Sequence, residues 1–148
     1  MLAFDDYISS SEILRETLRA QRRIQNRLSP TPLEHSSYFS ESSGANVYLK
    51  LENLQPTGSF KVRGALNSLL SLSEDQRAKG VVTASSGNHG LAVAYGASAL
   101  GIECEVFVPK HAPQTKTDAI RRLGGRLRHH GADVAVTESF ARNHALEN

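Results

Sequence analysis

Three short strand-like runs, separated by helix-length segments, constrain the fold of this chain more than any other feature. Gly80-Val81-Val82-Thr83-Ala84 is a β-branched strand, and Glu103-Cys104-Glu105-Val106-Phe107-Val108 is a second. Arg126-Leu127-Arg128-His129-His130 reads as a third. An alanine-rich helix to about Leu100 fills the first gap. A helix carrying Ile120 and Leu123, opened near Pro113 and closed by Gly124-Gly125, fills the second. Strands joined through crossovers of this length pair in parallel. The expected class is therefore α/β, an open parallel sheet with flanking helices. Gly96 inside the alanine-rich helix costs roughly 1 kcal/mol against alanine, which predicts a close packing contact there. Thr137 or Ser139 is the expected cap of a last helix.

The earlier part of the chain is less regular. Ser11 and Glu12 open a helix that puts Ile13, Leu14, Leu18, Ile24 and Leu28 towards one side. Its other face carries Arg15, Arg19, Arg22, Arg23 and Arg27. In a chain of 148 residues with 17 Lys+Arg and 15 Asp+Glu, such a face reads as solvated. The balance leaves no electrostatic footprint for nucleic acid. Pro30 and Pro32 stop this helix. Leu33 through Gly44 is polar and irregular, and Val47 to Glu52 alternates as a half-buried strand. No apolar run approaches the roughly 20 residues of a membrane span. Met1-Leu2-Ala3-Phe4-Asp5-Asp6 lacks the pattern of a signal peptide. The single cysteine, Cys104, lies in an apolar strand and reads as an inert core thiol. The expected setting is cytoplasmic.

Two stretches carry chemistry. The first runs from Leu54 to Ala65: Leu-Gln-Pro-Thr-Gly-Ser-Phe-Lys-Val-Arg-Gly-Ala. Pro56 and Gly58 make a turn, and Ser59 is the expected N-cap of a helix to about Leu72. Lys61 then falls in the first helical turn, where the macrodipole disfavours a cation by roughly 0.3–1 kcal/mol. On position alone, Lys61 is either a surface lysine or a lysine kept for its amine. The second stretch, Ser85-Ser86-Gly87-Asn88-His89-Gly90, follows a strand and opens a helix, where parallel sheets place ligands. Free helix-start N–H groups, two hydroxyls and an amide suit a carboxylate; a plain turn capped by Asn88 is the alternative. His129 and His130 are adjacent on a strand and point to opposite faces, and no other histidines have ligand spacing, so no metal site is expected.

Together these two stretches resemble the fold-type II pyridoxal-phosphate enzymes, the tryptophan synthase β-like group. Pro56-Thr57-Gly58-Ser59-Phe60-Lys61-Val62-Arg63-Gly64-Ala65 resembles the family's lysine segment. The Ser85–Gly90 loop resembles its substrate-carboxylate loop. Thr31-Pro32-Leu33 and Leu49-Lys50-Leu51-Glu52-Asn53 match the family's lead-in. The nearest branch is that of the serine/threonine dehydratases (threonine ammonia-lyases) and serine racemases. The resemblance implies pyridoxal 5'-phosphate held by Lys61 as a Schiff base, with Lys61 then removing the substrate Cα proton. It implies Phe60 packed on the cofactor ring and Asn88 bonded to its hydroxyl oxygen. Ser85, Ser86, Asn88 and the His89 backbone would hold the amino-acid carboxylate. The implied reaction is β-elimination on threonine or serine, giving a 2-oxo acid and ammonia. Ser86, at the position of a racemase acid-base, keeps a serine racemase-like activity open.

The resemblance begins near Pro30 and corresponds to the N-terminal half of a family member. Residues 1–72 are expected to belong to a larger domain with the lysine helix. Residues 73–148 are expected to form a smaller α/β domain with the carboxylate loop. The family's glycine-rich phosphate loop is expected beyond Asn148, so a truncated, non-catalytic binding module is the reading of another class. A small amino-acid substrate and a homo-oligomer of the full-length chain are the implied partners, with neither nucleic acid nor membrane.

Overall fold

The computed structural model describes residues 9–147, so Met1–Asp6 lies outside them. In chain order the elements are α1 (Ser10–Ile24), β1 (Leu33–His35), α2 (Ser37–Ser43), β2 (Tyr48–Lys50), a 3-10 turn (Glu52–Leu54) and α3 (Lys61–Leu70). There follow α4 (Glu74–Lys79), β3 (Val81–Ala84), α5 (Asn88–Leu100), β4 (Cys104–Val108), α6 (Gln114–Arg122), β5 (Arg126–His129) and α7 (Val134–Glu147).

Strands β3, β4 and β5 form a parallel sheet in that order, with Val81 opposite Cys104 and Glu105 opposite Arg126. This is the α/β architecture expected from the spacing of the apolar runs. Successive β4 side chains point to opposite faces. The Val106 side chain lies near Gly90 of α5, whereas the Phe107 ring meets Phe140 and His144 of α7 edge-on. Helices thus cover both faces of β4, and four of its five residues are buried. Cys104 is among them, and burial pushes its thiol up to about 11, with the Glu105 charge adding to the effect. An inert thiol is what the apolar strand implied.

The contact that places one half of the site against the other is α3 on α5. A Cβ at Gly96 would lie 2.7 Å from Leu69 Cδ1 and 3.4 Å from Leu66 Cδ2. Glycine therefore lets the leucine face of α3 reach the α5 backbone, the close contact expected at this position. Leu69 is eight residues beyond Lys61, and Gly96 is eight beyond Asn88. Lys61 and Asn88 line one cleft, which puts the two N-termini at the same end of the packed pair. One buried cluster continues from Ile24 and Leu28 through Leu66, Ala94 and Val106 to Ile120.

Several local expectations are corrected. The irregular stretch Leu33–Gly44 contains β1 and α2, and α2 is capped by Ser36. Its serines act as local hydrogen-bonding groups within a short helix; Ser43 Oγ donates to the Phe39 carbonyl. The strand expected over Val47–Glu52 is only Tyr48–Lys50, paired antiparallel with β1 and exposed on both faces. Helix α1 starts at Ser10 under a Ser9 cap, and Ile13, Leu14 and Leu18 are exposed, leaving only Ile24 and Leu28 of the expected face buried. Neither Thr137 nor Ser139 caps the last helix. Asp133 accepts from the Val136 N–H instead, and Thr137, already inside α7, donates back to the His130 carbonyl.

Candidate active site

Lys61 is the first residue of α3. The expected Ser59 cap does not form: Phe60 occupies the cap position in a helical conformation, and no side chain bonds to the helix start. The Ser59 and Thr57 hydroxyls are buried and lack a hydrogen-bond partner among the described residues. The turn ahead of them closes through the Gly58 N–H donating to the Gln55 carbonyl, with Gly58 at φ 68°. Phe60 is 59% exposed, and the Lys61 ammonium lies 5.2 Å from its ring centroid. Among the described residues no carboxylate pairs with this lysine.

The Ser85–Gly90 stretch is built as a strand-to-helix turn. The Ser85 N–H continues the sheet by donating to the Phe107 carbonyl, and the Ser85 hydroxyl accepts from the Gly87 N–H. Gly87, not Asn88, caps α5, and it does so without a side chain. The first intrahelical bond runs from the Leu91 N–H to the Gly87 carbonyl. The amides of Asn88, His89 and Gly90 therefore precede the helical ladder, at the positive end of the helix dipole. Gly90 makes the tight turn possible, since a Cβ there would lie 2.2 Å from the Ser85 carbonyl oxygen.

The two stretches meet. An open cleft of about 660 Å³ is lined by Lys61, Ser85, Ser86, Gly87, Asn88, His89 and Leu91, with Thr115 and Ala119 from α6. A second groove of about 450 Å³ shares Lys61 and His89 and adds Phe60, Gly64, Ser68 and the β3 residues Val81–Thr83. Lys61 and His89 thus border both depressions, Phe60 the second, and Ser85, Ser86 and Asn88 the first. Thr115 and Ala119 had no signal in the sequence beyond the helix start at Pro113. No group of three potential metal ligands occurs among the described residues. Among the described residues no helix is long and apolar enough to cross a membrane.

One partly buried network beside the lysine turn was not anticipated in its role. Arg63 Nε and Nη2 donate to the two carboxylate oxygens of Glu52, each at 2.7 Å. The buried Thr31 hydroxyl adds a third bond to Glu52 at 2.6 Å. The Arg63 fork, helped by Thr31 and opposed by burial, holds the Glu52 carboxyl down at about 2.

Comparison with known proteins agrees with this geometry. Residues 24–148 match the family described as pyridoxal-phosphate dependent enzyme. The chain belongs to that family. It is 46% identical over 110 residues to a β-hydroxyaspartate dehydratase of Paracoccus denitrificans, covering 74% of this chain and 35% of that protein. It is 46% identical over 114 residues to an L-threonine ammonia-lyase of Thermotoga maritima, covering 77% of this chain and 28% of that protein. The crystal structure of a serine racemase from Dictyostelium discoideum superposes with a TM-score of 0.82 at 40% identity, over 90% of this chain and 44% of that one. The chain therefore spans about a third of the length of the curated relatives it matches, and it has the fold-type II architecture.

The cofactor of the family is pyridoxal phosphate, and the residues present suit it. An aldehyde needs an amine without a competing carboxylate, which Lys61 offers at the cleft edge beside an exposed aromatic ring. An amino-acid carboxylate needs anion-binding donors, which the start of α5 presents on the same cleft.

Proposed function

We propose that this site belongs to a lyase that removes water from a β-hydroxy amino acid, threonine or serine, to give a 2-oxo acid and ammonia. The observation that carries the proposal is the meeting of Lys61 and the Ser85–His89 turn on one cleft. Pyridoxal phosphate, when bound, supplies an aldehyde for imine formation and a π-system that accepts the electrons left at Cα. Lys61 would hold the cofactor until the substrate amine displaces it, and its freed amine would then take the Cα proton. Phe60 would pack on the ring, and the Asn88 amide would bond to its hydroxyl oxygen. The amides at the start of α5, with the Ser85 and Ser86 hydroxyls and Asn88, fix the carboxylate and so aim the Cα–H bond. The Cβ–O bond then breaks, and the hydroxyl leaves as water after taking up a proton. Hydrolysis of the released enamine through its imine tautomer yields the 2-oxo acid and ammonia. Residues 1–72 fit the larger domain of such an enzyme, and residues 73–148 its smaller one.

A second reading is favoured by Ser86, a hydroxyl on the same cleft as the lysine. As a proton donor on the opposite side of Cα, it would return a proton with inversion and make the enzyme a serine racemase. The test supplies L-threonine or L-serine with pyridoxal phosphate and follows 2-oxo acid by reduction with NADH, and D-serine by chiral chromatography. It is run on this chain and on a chain spanning the full length of its relatives. Elimination that disappears in Lys61→Ala supports the proposal. D-serine formation lost in Ser86→Ala, with elimination retained, supports the second reading. A full-length chain that forms neither product overturns both, and activity confined to that chain leaves these 148 residues as a binding module.

A further inference from the structure

The loop that carries Lys61 is tied at both ends by one ion pair. Glu52 opens the 3-10 turn that leads into the loop, and Arg63 lies in the first turn of α3, eleven positions later. The pair differs from an ordinary surface salt bridge, which contributes almost nothing. Its geometry is a two-bond fork, and the Glu52 side chain is only 17% exposed. Thr31 supplies a third bond, and the Thr31 carbonyl in turn accepts from the Lys50 ammonium. The buried Gln55 donates to the Ser29 carbonyl, which fixes the loop entry to the same segment.

Among the described residues no side chain caps the far end of the loop. The start of α3 lacks a side-chain cap, so rotation of its first turn is set by the residues on either side of Lys61. Val62 is fully buried and points into the core. Lys61 and Arg63 are about 200° apart around the helix, so holding Arg63 to Glu52 turns Lys61 the other way. The other way is the cleft.

We propose that Glu52 and Arg63 are positioning residues: their fork staples the loop shut and aims the Lys61 amine into the cleft. The inference rests on Lys61 being the cofactor lysine. Charge and shape are both required, because the fork must be planar and its two bonds parallel. Loss of either partner lets the first turn of α3 swing about Val62, and Lys61 samples directions away from the cleft.

The test traps pyridoxal phosphate on the chain with borohydride and measures by peptide mass spectrometry which lysine carries it. Lys79 and Lys110, exposed and outside this network, serve as internal standards. In the wild-type chain the label is expected to favour Lys61. In Glu52→Gln and Arg63→Gln the ratio of Lys61 to the standards should fall by about tenfold or more, since misplacing a reacting group by about 1 Å can cost about 100-fold. Arg63→Lys, which keeps the charge and loses the fork, should fall between. The double variant should be no worse than either single one. A general loss of stability would not move this ratio within the folded fraction, which circular dichroism measures. Where Glu52→Gln fails to fold, Thr31→Val removes only the third bond and should still lower the ratio about twofold. A ratio unchanged in the folded variants overturns the staple and leaves the role of Lys61 standing. A wild-type chain without preference for Lys61 overturns the reading of Lys61 and the staple with it.

Discussion

Leu66 and Leu14 both sit on amphipathic helices, yet Leu66 is 1% exposed and Leu14 is 60% exposed. The contrast extends to whole regions. From α3 to β5 the apolar residues of helix and strand find each other: α3 lies on α5, α5 on β4, and α6 on β5. From α1 to β2 most do not, although Ile24 and Leu28 join the core. Ile13, Leu14 and Leu18 of α1, Leu33 of β1, Tyr38 and Phe39 of α2, and Tyr48 and Leu49 of β2 are all exposed. Hydrophobic periodicity says which face of an element wants cover. It does not say whether cover is present. Lys61 stands at the seam between the two regions, on the first turn of the first well-packed helix.

The sharpest way to break the packed region is at Gly90. A methyl group there would lie 2.2 Å from the Ser85 carbonyl oxygen, and backbone on both sides cannot yield as a side-chain tip would. Gly90→Ala should cost about 3 kcal/mol and lower the urea midpoint accordingly. It should also displace the amides at the start of α5, so cofactor capture and substrate-carboxylate binding should weaken beyond what lost stability explains. A variant as stable as wild type would show that this turn is looser than its geometry.

The seam itself is tested by acid. The folded Glu52 carboxyl sits at about 2 against an ordinary 4.5, chiefly because Arg63 bonds to its charged form. A carboxyl lowered in the folded state stabilises fully above its unfolded value and loses that stabilisation as pH falls towards the folded one. Wild-type stability should therefore decline between pH 4.5 and about 2, with Glu52 responsible for about 1–2 kcal/mol after allowance for water around the half-exposed Arg63. Unfolding midpoints compared at pH 6 and pH 3 should show a smaller decline for Glu52→Gln than for wild type. Equal declines would mean the fork contributes nothing.

What was legible in the sequence follows the same division. The parallel sheet, its helices and the close approach at Gly96 could be read because period, length and breaker residues all agreed. Both site motifs could be read because their residue types are chemically specific, and Lys61, Ser85, Ser86, Asn88 and His89 do border one cleft. The caps were harder. Ser59 looked like a cap, but its hydroxyl turned inward, and Asp133 took a role expected of Thr137 or Ser139. Several capping residues lay within four positions, and local chemistry does not choose among them. The serine-rich stretch hid α2 because serines favour caps and turns as much as helices. The Glu52–Arg63 fork was invisible because side chains eleven positions apart meet only through the turn between them.

The smallest expected effect tests the uncovered region. Leu14 and Leu18 lie one helical turn apart on α1, 60% and 48% exposed, so each has far less buried apolar area to lose than Leu66. A leucine contributes to stability through the surface it removes from water, about 25 cal/mol per Å², so an exposed one contributes little. Leu14→Ser and Leu18→Ser should each change the unfolding free energy of this chain by less than about 0.5 kcal/mol, mostly through helix propensity. The same change at Leu66 would remove a buried side chain from the α3–α5 contact and cost several times more. If Leu14→Ser instead destabilises as a core substitution does, α1 folds back onto the rest of the chain more closely than its exposure indicates. The contrast between the two leucines would then be one of degree.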